Sequence, residues 1–197
     1  MCNAICKIEG MVPLLQNRFP MPDDWDEQTK KRASKGKKDR QTALLEKAYY
    51  DKKGVYMPVD CIRMMLIGNK HRPGAAKILG SNIESKKGSL YLEICKSCVY
   101  VEGIDDPTKV YFGPNRKTWD STDIRSIVNA AGSRSIVERP QINTPWSLEF
   151  RVVCYDVQTS IEKIKEMFEV AGLRCGLGNY GPTFGRFRVV KWKEEDE

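Results

Sequence analysis

The chain has 197 residues, of which 41% are hydrophobic and 30% are charged, and this composition excludes an intrinsically disordered chain. The length predicts one globular domain with a sizeable core. The 33 Lys and Arg residues outnumber the 26 Asp and Glu residues, and the resulting net charge of +7 favours a polyanionic partner such as nucleic acid.

Two further features of the sequence set expectations about the compartment. Residues 1–10 lack the basic and apolar regions of a signal peptide, and the chain has no run of the roughly 18–20 apolar residues that form a membrane helix. The seven cysteines, an odd number scattered along the chain, are typical of reduced thiols. We therefore expect a soluble cytoplasmic protein without a membrane partner.

The chain begins with apolar Ala4, Cys6 and Ile8 alternating with other residues, which predicts a strand that ends near Gly10. Residues 20–53 then carry an acidic group, a dense basic run and a short predicted helix. We interpret this segment as a finger or thumb insertion that binds phosphates, with a solvated loop as the alternative. Its candidate contacts are Lys30, Lys31, Arg32, Lys35, Lys37, Lys38 and Arg40.

A core helix is predicted in the segment that follows Val55. Pro58 suits the first turn of this helix, and Gly68 is placed to end it. The apolar residues that share one face of the helix are Ile62, Met65 and Leu66.

The next two segments differ in character. Residues 70–88 are basic and contain glycine, so we predict a second exposed excursion whose candidate contacts are Lys70, His71 and Arg72. Residues 89–102 are predicted to form a strand or a bent strand pair that carries a Cys-x-x-Cys sequence. A zinc site needs further ligands and the chain has one histidine, so we expect free thiols at Cys95 and Cys98 and no metal.

The C-terminal third has the clearest pattern. Alternation over 146–154 predicts a strand with one buried face, and a helix is predicted over 160–171. Thr159 and Glu162 form a capping-box pattern at its start, and Gly172 can supply its stop. A glycine-rich stretch and a final strand follow, which completes half of a ferredoxin-like fold. The predicted class is therefore α+β, an antiparallel sheet with packed helices and long basic insertions.

The glycine-rich stretch 175–189 reads CGLGNYGPTFGRFRV. Its glycines fit Gly-x-Gly-x-x-Gly, but they follow a helix and precede a strand, which is the reverse of the order in a dinucleotide site. The aromatic residues Tyr180 and Phe184 are candidates for stacking on bases, and Arg186 and Arg188 are candidates for meeting phosphate.

Arginines between the middle and the C-terminal third form another candidate cluster for phosphate or base contacts. Its members are Arg125, Arg134 and Arg139. The alternative is that these arginines pair within the protein. The acidic partners available to them are Asp120, Asp123 and Glu138.

Three stretches resemble the RAMP superfamily, and within it the backbone subunits that coat guide RNA in CRISPR effector complexes. The stretch ICKIEGMVPLLQ is similar to the first strand of that family. The stretch GVYMPVDCIRMML is similar to the family element Tyr-Ile-Pro-Gly-Ser-Ser-(Leu/Ile)-Lys-Gly, although Val59, Asp60 and Cys61 stand where small residues are usual. The stretch GLGNYGPTFGRFRV is similar to the family's glycine-rich loop, which ends in Gly-Arg-Phe.

This resemblance implies an RRM-like sheet, a long insertion and side-by-side assembly of copies along a single strand. It also adds Arg63, which lies in the second stretch, to the candidate contacts. We therefore predict a non-catalytic protein that binds single-stranded nucleic acid as a backbone or coating subunit of a homo-oligomeric filament, without a cofactor. RNA is the family default, and single-stranded DNA stays open.

Two other functions remain open at this point. A metal-dependent endoribonuclease would use an acidic residue of the first insertion, namely Asp23, Asp24 or Asp26. His71 could instead act as a general base, although a lone histidine in a loop usually does not. The other function is an interaction module that mimics or inhibits a CRISPR complex.

Overall fold

The computed structural model describes residues 2–18, 40–81, 87–113, 116–128, 132–156 and 159–195. Several candidates in the first insertion lie outside these residues, so the predictions made for them stay predictions. They are Asp23, Asp24, Asp26, Lys30, Lys31, Arg32, Lys35, Lys37 and Lys38.

The described residues form nine strands and five helices, named here in chain order. The strands are β1 (Cys2–Gly10), β2 (Leu14–Leu15), β3 (Tyr56–Pro58), β4 (Val99–Gly103), β5 (Lys109–Tyr111), β6 (Ser121–Val128), β7 (Arg134–Ile142), β8 (Ser147–Cys154) and β9 (Phe187–Glu195). The helices are α1 (Arg40–Lys47), α2 (Val59–Ile67), α3 (Ala75–Ser81), α4 (Lys87–Ser97) and α5 (Ile161–Val170), and a π-helical turn (Ala171–Cys175) continues α5.

The central sheet has four antiparallel strands in the order β4, β8, β1, β9. Counted along the chain, these are the second, third, first and fourth strands of a β-α-β-β-α-β arrangement, which is the ferredoxin-like order. The prediction of an α+β, ferredoxin-like core is confirmed. A three-stranded sheet (β2, β7, β6) and a two-stranded sheet (β3, β5) are added to this core.

The core lies between one face of the central sheet and the helices. Ala4, Cys6 and Ile8 of β1 are fully buried on that face, as their alternation predicts. Phe168 of α5 packs on Phe150 of β8, with ring centroids 5.6 Å apart. Such aromatic contacts hold the helix against the sheet.

Helix α2 follows the sequence prediction closely. Its buried residues are Ile62, Met65 and Leu66. Pro58 stands directly before the helix, and Gly68, with φ +75°, ends it. Helix α1 likewise occupies most of the short helix predicted inside the first insertion, and the backbone of Arg40 begins it.

The prediction of strand over 89–102 is wrong for most of that segment. Helix α4 runs to Ser97, and only Val99–Gly103 is a strand. Tyr91, Ile94 and Cys95 pack against the core, and their spacing of three and four residues is helical. Alternation among apolar residues in this segment fitted a strand as well, so tertiary packing decided the outcome.

The segment predicted as a second exposed excursion is divided by the fold. Its first residues, Lys70 to Arg72, are exposed in the turn between α2 and α3. Helix α3 then begins, and its residues Ala75 and Ala76 are fully buried. Small side chains at these positions let α3 pack closely against the rest of the core, so this part of the segment is not an exposed loop.

Both ends of α5 differ from the prediction. Ser160, rather than Thr159, is the N-cap residue, and its hydroxyl oxygen accepts a hydrogen bond from the backbone N–H of Lys163 at 3.3 Å. Gly172 does not stop the helix, which continues through the π-helical turn to Gly176. Gly172 instead allows a close approach, because a Cβ atom there would lie 2.3 Å from the carbonyl oxygen of Phe187.

Among the helices of the described residues, none combines the length and the apolar character that a membrane span requires.

Candidate nucleic-acid interface

A cleft of about 590 Å³ lies beside the turn between α2 and α3. We call it the basic cleft, because its charged or titratable lining residues are Lys70, His71, Arg72, Lys77, Lys96 and Arg174. The described lining residues include no Asp or Glu. A concave surface lined by one sign of charge concentrates the electrostatic potential, so this cleft attracts anions.

The turn itself is held by a side chain. The Oδ1 atom of Asn69 accepts hydrogen bonds from the backbone N–H groups of His71 at 2.9 Å and of Arg72 at 3.0 Å. An Asn side chain that satisfies the backbone in this way fixes the turn. The side chains of Lys70, His71 and Arg72 are therefore free to face solvent at one place, as the sequence predicts for an exposed basic segment.

Lys96 and Arg174 were not predicted from the sequence, whereas Lys77 belongs to the predicted basic segment 70–88. Lys77 lies on α3, Lys96 on the last turn of α4, and Arg174 on the π-helical turn. These residues are far apart in the chain and meet only because α3, α4 and the end of α5 pack together. A helical assignment for 87–97 would have been the signal for Lys96.

A second cleft of about 340 Å³ adjoins the basic cleft. We call it the methionine cleft, since Met57, Met64 and Met65 line it. The two clefts share four lining residues, which are Gly68, Asn69, Arg72 and Pro73. Asp60 of α2 lines the methionine cleft from one side, and the start of the glycine-rich stretch lines it from another.

The glycine-rich stretch forms a rigid wall. Gly176 has φ +72° and Gly178 has φ +78°, conformations that favour glycine. A Cβ atom on Gly178 would lie 2.5 Å from the carbonyl oxygen of Leu15, so the backbone passes directly over β2. The N–H of Asn179 donates to that same carbonyl at 2.8 Å. The stretch is thus tied to the core at the point where it borders the methionine cleft.

Four of the predicted contact residues come together at the other end of this stretch. The guanidinium carbon of Arg125 lies 4.6 Å from the ring centroid of Phe184 and 5.8 Å from that of Tyr180. The guanidinium carbon of Arg139 lies 4.6 Å from the Tyr180 ring centroid. These are cation–π contacts within the protein, in which a guanidinium group lies over the face of each ring. We call this set the arginine–aromatic ladder.

The pairing alternative for these arginines is observed for one of them. Arg125 donates through Nε to both carboxylate oxygens of Asp123, at 2.8 and 2.9 Å. Arg139 is only 4% exposed, and its Nε and Nη1 atoms have no hydrogen-bond partner among the described residues. Arg134 is exposed at the start of β7.

The Arg63 side chain makes its hydrogen bonds within the fold. Its guanidinium donates to the carbonyl oxygens of Val99 at 2.9 Å, of Cys95 at 3.4 Å and of Lys96. It also lies over the Tyr100 ring at 5.1 Å. These carbonyls belong to the last turn of α4 and the start of β4, so Arg63 satisfies groups that a helix end leaves unpaired.

Arg186 directly precedes β9 and Arg188 is its second residue, and both are exposed. Arg188 forms an ion pair with Glu9 of β1 at 3.3 Å.

The open face of the central sheet carries further ion pairs of this kind. Its ion pairs include Lys191 with Glu149 at 2.8 Å and Arg151 with Glu195 at 2.9 Å. This face therefore presents alternating charge, and Tyr100 at its edge packs edge-on against Tyr155.

A tyrosine–lysine network was missed at the sequence level. Asp51 accepts hydrogen bonds from Lys109 Nζ and the Tyr111 hydroxyl, each at 2.8 Å. Desolvation alone would raise the pKa of Asp51, but hydrogen bonds from Lys109, Tyr111 and the backbone of Lys53 and Gly54 lower it to about 2. Burial, followed by the bond to Asp51, raises the pKa of Tyr111 to about 12.

All seven cysteines are free thiols. Burial raises the pKa of Cys95 to about 12, and its Sγ atom lies 3.5 Å from Met167 Sδ. Cys98 is half-buried. Within the described ranges, no three His, Cys, Asp or Glu side chains lie close enough together to hold a metal ion.

The chain was compared with family models, curated proteins and solved structures. No family model matches the chain, and no curated protein matches it. The chain is similar to a chain in the cryo-EM structure of the Type III-B Cmr-beta bound to cognate target RNA, with a TM-score of 0.54 and 12% sequence identity. The similarity covers 98% of this chain and spans 60% of the length of that chain. At this identity the likeness shows a shared fold.

Proposed function

We propose that the protein binds single-stranded nucleic acid, RNA in preference to DNA, and does not cut it. The observation that carries the proposal is the basic cleft, where side chains from the α2–α3 turn, α3, α4 and the π-helical turn line one volume. Phosphates are the anions that such a cleft fits, since cationic side chains bind them without regard to base sequence. The similar fold in a structure bound to target RNA supports RNA as the ligand.

The proposed binding surface is not the open face of the sheet. That face is occupied by ion pairs such as Lys191 with Glu149, which leave little net charge for phosphate. The basic cleft lies instead on the helical side, where the α2–α3 turn, α3, α4 and the π-helical turn line it. The proposal therefore assigns a different surface from the one that an RRM module uses to stack bases.

The proposal also includes a mode of assembly, with copies lying side by side along the strand as subunits of a CRISPR-type effector complex. The hairpin of β6 and β7 supports it, because one face of this hairpin exposes three apolar side chains beside Ser126, Arg134 and Glu138. Ile124, Val128 and Ile136 are 52%, 65% and 73% exposed, and strand register places them on the same face. Exposed apolar clusters of this kind are typical of protein contacts.

The test is binding of labelled single-stranded RNA, single-stranded DNA and duplex across a salt series. A triple variant, Lys70→Gln, Arg72→Gln and Lys96→Gln, should weaken binding to every sequence and reduce the salt slope by roughly one unit for each phosphate that the variant no longer binds. Lys193→Gln, an exposed lysine of β9 on the open face, is the matched control. An unchanged slope in the triple variant would refute the assignment of the basic cleft.

The absence of catalysis is a separate part of the proposal. Labelled RNA incubated with the protein and Mg²⁺ should stay intact. Cleavage at regular spacing that Asp23→Ala, Asp24→Ala or Asp26→Ala abolishes would replace the proposal with a ribonuclease. If no oligonucleotide binds at about 50 mM salt, where phosphate contacts are strong, an interaction module becomes the better description.

A further inference from the structure

We infer that the methionine cleft receives one unstacked nucleobase and that Asp60 selects guanine there. The inference rests on the proposed function and adds to it a preference among bases. It assigns the chemistry of recognition to a cleft whose shape, lining and position are all given by the fold.

The position of the cleft fits a base. The methionine cleft and the basic cleft share Gly68, Asn69, Arg72 and Pro73, so a strand whose phosphates lie in the basic cleft passes the opening of the other. A volume of about 340 Å³ is at the small end of the range for ligand pockets, which suits a single base rather than a longer segment.

The lining fits a flat aromatic ligand. Three thioether side chains contribute to the walls, and Met64 is 46% exposed although it is apolar. Thioethers are polarisable and make favourable contacts with aromatic rings. Gly176 and Gly178 also line the cleft, in backbone that lies close to the carbonyl oxygens of Phe184 and Leu15.

Asp60 supplies the selectivity. It lies in the first turn of α2, it is exposed, and its carboxylate has no ion pair or hydrogen bond among the described residues. Beside a surface that attracts phosphates, a carboxylate repels the backbone of the ligand but accepts hydrogen bonds from N–H groups of a base.

Guanine is the base whose donors match a carboxylate. Its Watson–Crick edge places the N1–H and N2–H donors side by side, so both oxygens of Asp60 can accept at once. Uracil offers one donor between two acceptors, and adenine and cytosine offer an amino group beside an acceptor nitrogen. A bidentate contact to an ionised group is stronger and more selective than a single neutral bond.

The experiment compares single-stranded oligouridine RNAs that carry one central guanosine, inosine or adenosine. With wild-type protein we expect the guanosine RNA to bind roughly tenfold more tightly than the adenosine RNA, in line with other bidentate base contacts. The inosine RNA, which lacks the N2 amino group, should lose most of that advantage.

Variants assign the preference to the residue. Asp60→Asn should bind the three RNAs with equal affinity while still binding the unmodified oligouridine. Asp60→Ser is a second variant that keeps a residue compatible with the start of a helix, and thermal unfolding checks that both fold. Asp105→Asn, an exposed aspartate that lines neither cleft, should keep the guanosine preference.

The outcomes separate this inference from the proposed function. If wild-type protein binds all three RNAs equally, the inference is wrong and the proposed function stands. If it binds no RNA, both fail. If Asp60→Asn changes the size of the protein in solution but not the guanosine preference, the cleft receives a side chain of a second copy and the inference is wrong.

Discussion

The guanidinium carbon of Arg139 lies 4.6 Å from the ring centroid of Tyr180, and this contact joins β7 to the glycine-rich stretch. Arg139 is buried, and the Tyr180 ring is the cation–π partner of its guanidinium. Arg125 extends the arginine–aromatic ladder to Phe184. Because the same stretch continues into the wall of the methionine cleft, the ladder holds the β6–β7 hairpin in a fixed position relative to that cleft.

Removing the ring of Tyr180 should therefore cost stability. Tyr180→Ala leaves a buried guanidinium without its aromatic partner, and we expect the free energy of unfolding to fall by about 1–3 kcal/mol. Tyr180→Phe keeps the ring and should change it little. Urea denaturation measures both.

A glycine variant controls for the backbone at this position. Tyr180 has φ +58°, which glycine adopts more easily than alanine, so Tyr180→Gly should be less destabilising than Tyr180→Ala. If Tyr180→Ala retains full stability but loses affinity for RNA, the ring stacks on a base, as the sequence predicted. Its contact with Arg139 then contributes little to stability.

Arg63 provides a contrast between a scaffold arginine and a ligand-binding one. Arg63→Ala removes hydrogen bonds to carbonyls of α4 and β4, so we expect a loss of about 2 kcal/mol in unfolding free energy and no change in the salt slope of RNA binding. Arg63→Lys should not restore stability, since an ammonium group cannot reach three carbonyls as a planar fork does.

Arg188→Ala is the matched control for this prediction. The Arg188 side chain of the wild-type protein is 69% exposed and pairs with Glu9 on the surface, where ion pairs contribute little to stability. The unfolding free energy of Arg188→Ala should stay within about 0.5 kcal/mol of wild type. A reduced salt slope in Arg63→Ala would instead assign this residue to the RNA contact.

The elements that the sequence predicts correctly have one buried face and one exposed face. Strand β1 and helix α2 are examples, since Ala4, Cys6 and Ile8 alternate while Ile62, Met65 and Leu66 follow a helical spacing. Helix α4 was misjudged because its apolar residues Tyr91, Ile94 and Cys95 occur among others that alternate. Local pattern alone does not decide between two periods of similar strength.

The residues of the candidate site also differ in whether the sequence alone predicts their position. Residues 70–72 form one continuous turn, so the sequence alone places them together. Lys96 and Arg174 reach the basic cleft only through the packing of α4 against α3 and of the π-helical turn against both α2 and α3. Arg139 was predicted as a contact because arginine suits phosphate, and Arg63 because of the family resemblance. In the fold, the Arg63 guanidinium donates hydrogen bonds to carbonyl oxygens and the Arg139 guanidinium contacts a ring. Residue type without tertiary partners could not separate these two roles.

Acid should weaken the tyrosine–lysine network in a defined pH range. Hydrogen bonds lower the pKa of Asp51 to about 2, below the value of about 3.9 for an unfolded aspartate. The stabilisation is therefore complete above pH of about 4 and is lost as the pH falls toward 2. Asp51→Asn should lower the unfolding free energy by about 1–2 kcal/mol at neutral pH, and the difference from wild type should shrink as the pH approaches 2.

The measurement for Asp51 is urea denaturation of both proteins between pH 2 and pH 7. Asp105→Asn, at an exposed position, controls for the loss of a negative charge and should show no such pH dependence. A difference that stays constant over the whole range would mean that the hydrogen bonds to Asp51 do not depend on its ionisation.

The face of the β6–β7 hairpin that exposes Ile124, Val128 and Ile136 gives the last prediction, which concerns assembly. Ile124→Ser with Ile136→Ser removes two exposed side chains, so the unfolding free energy should change by less than about 0.5 kcal/mol. If copies contact one another through this face, wild-type protein on a long single-stranded RNA gives a ladder of gel shifts, and the double variant gives a weaker or shorter ladder. Its affinity for an RNA that holds one copy should stay unchanged. Leu173→Ser, which replaces an apolar residue of similar exposure on the π-helical turn, should keep the wild-type ladder. An unaltered ladder in the double variant would exclude this hairpin face from the contact between copies.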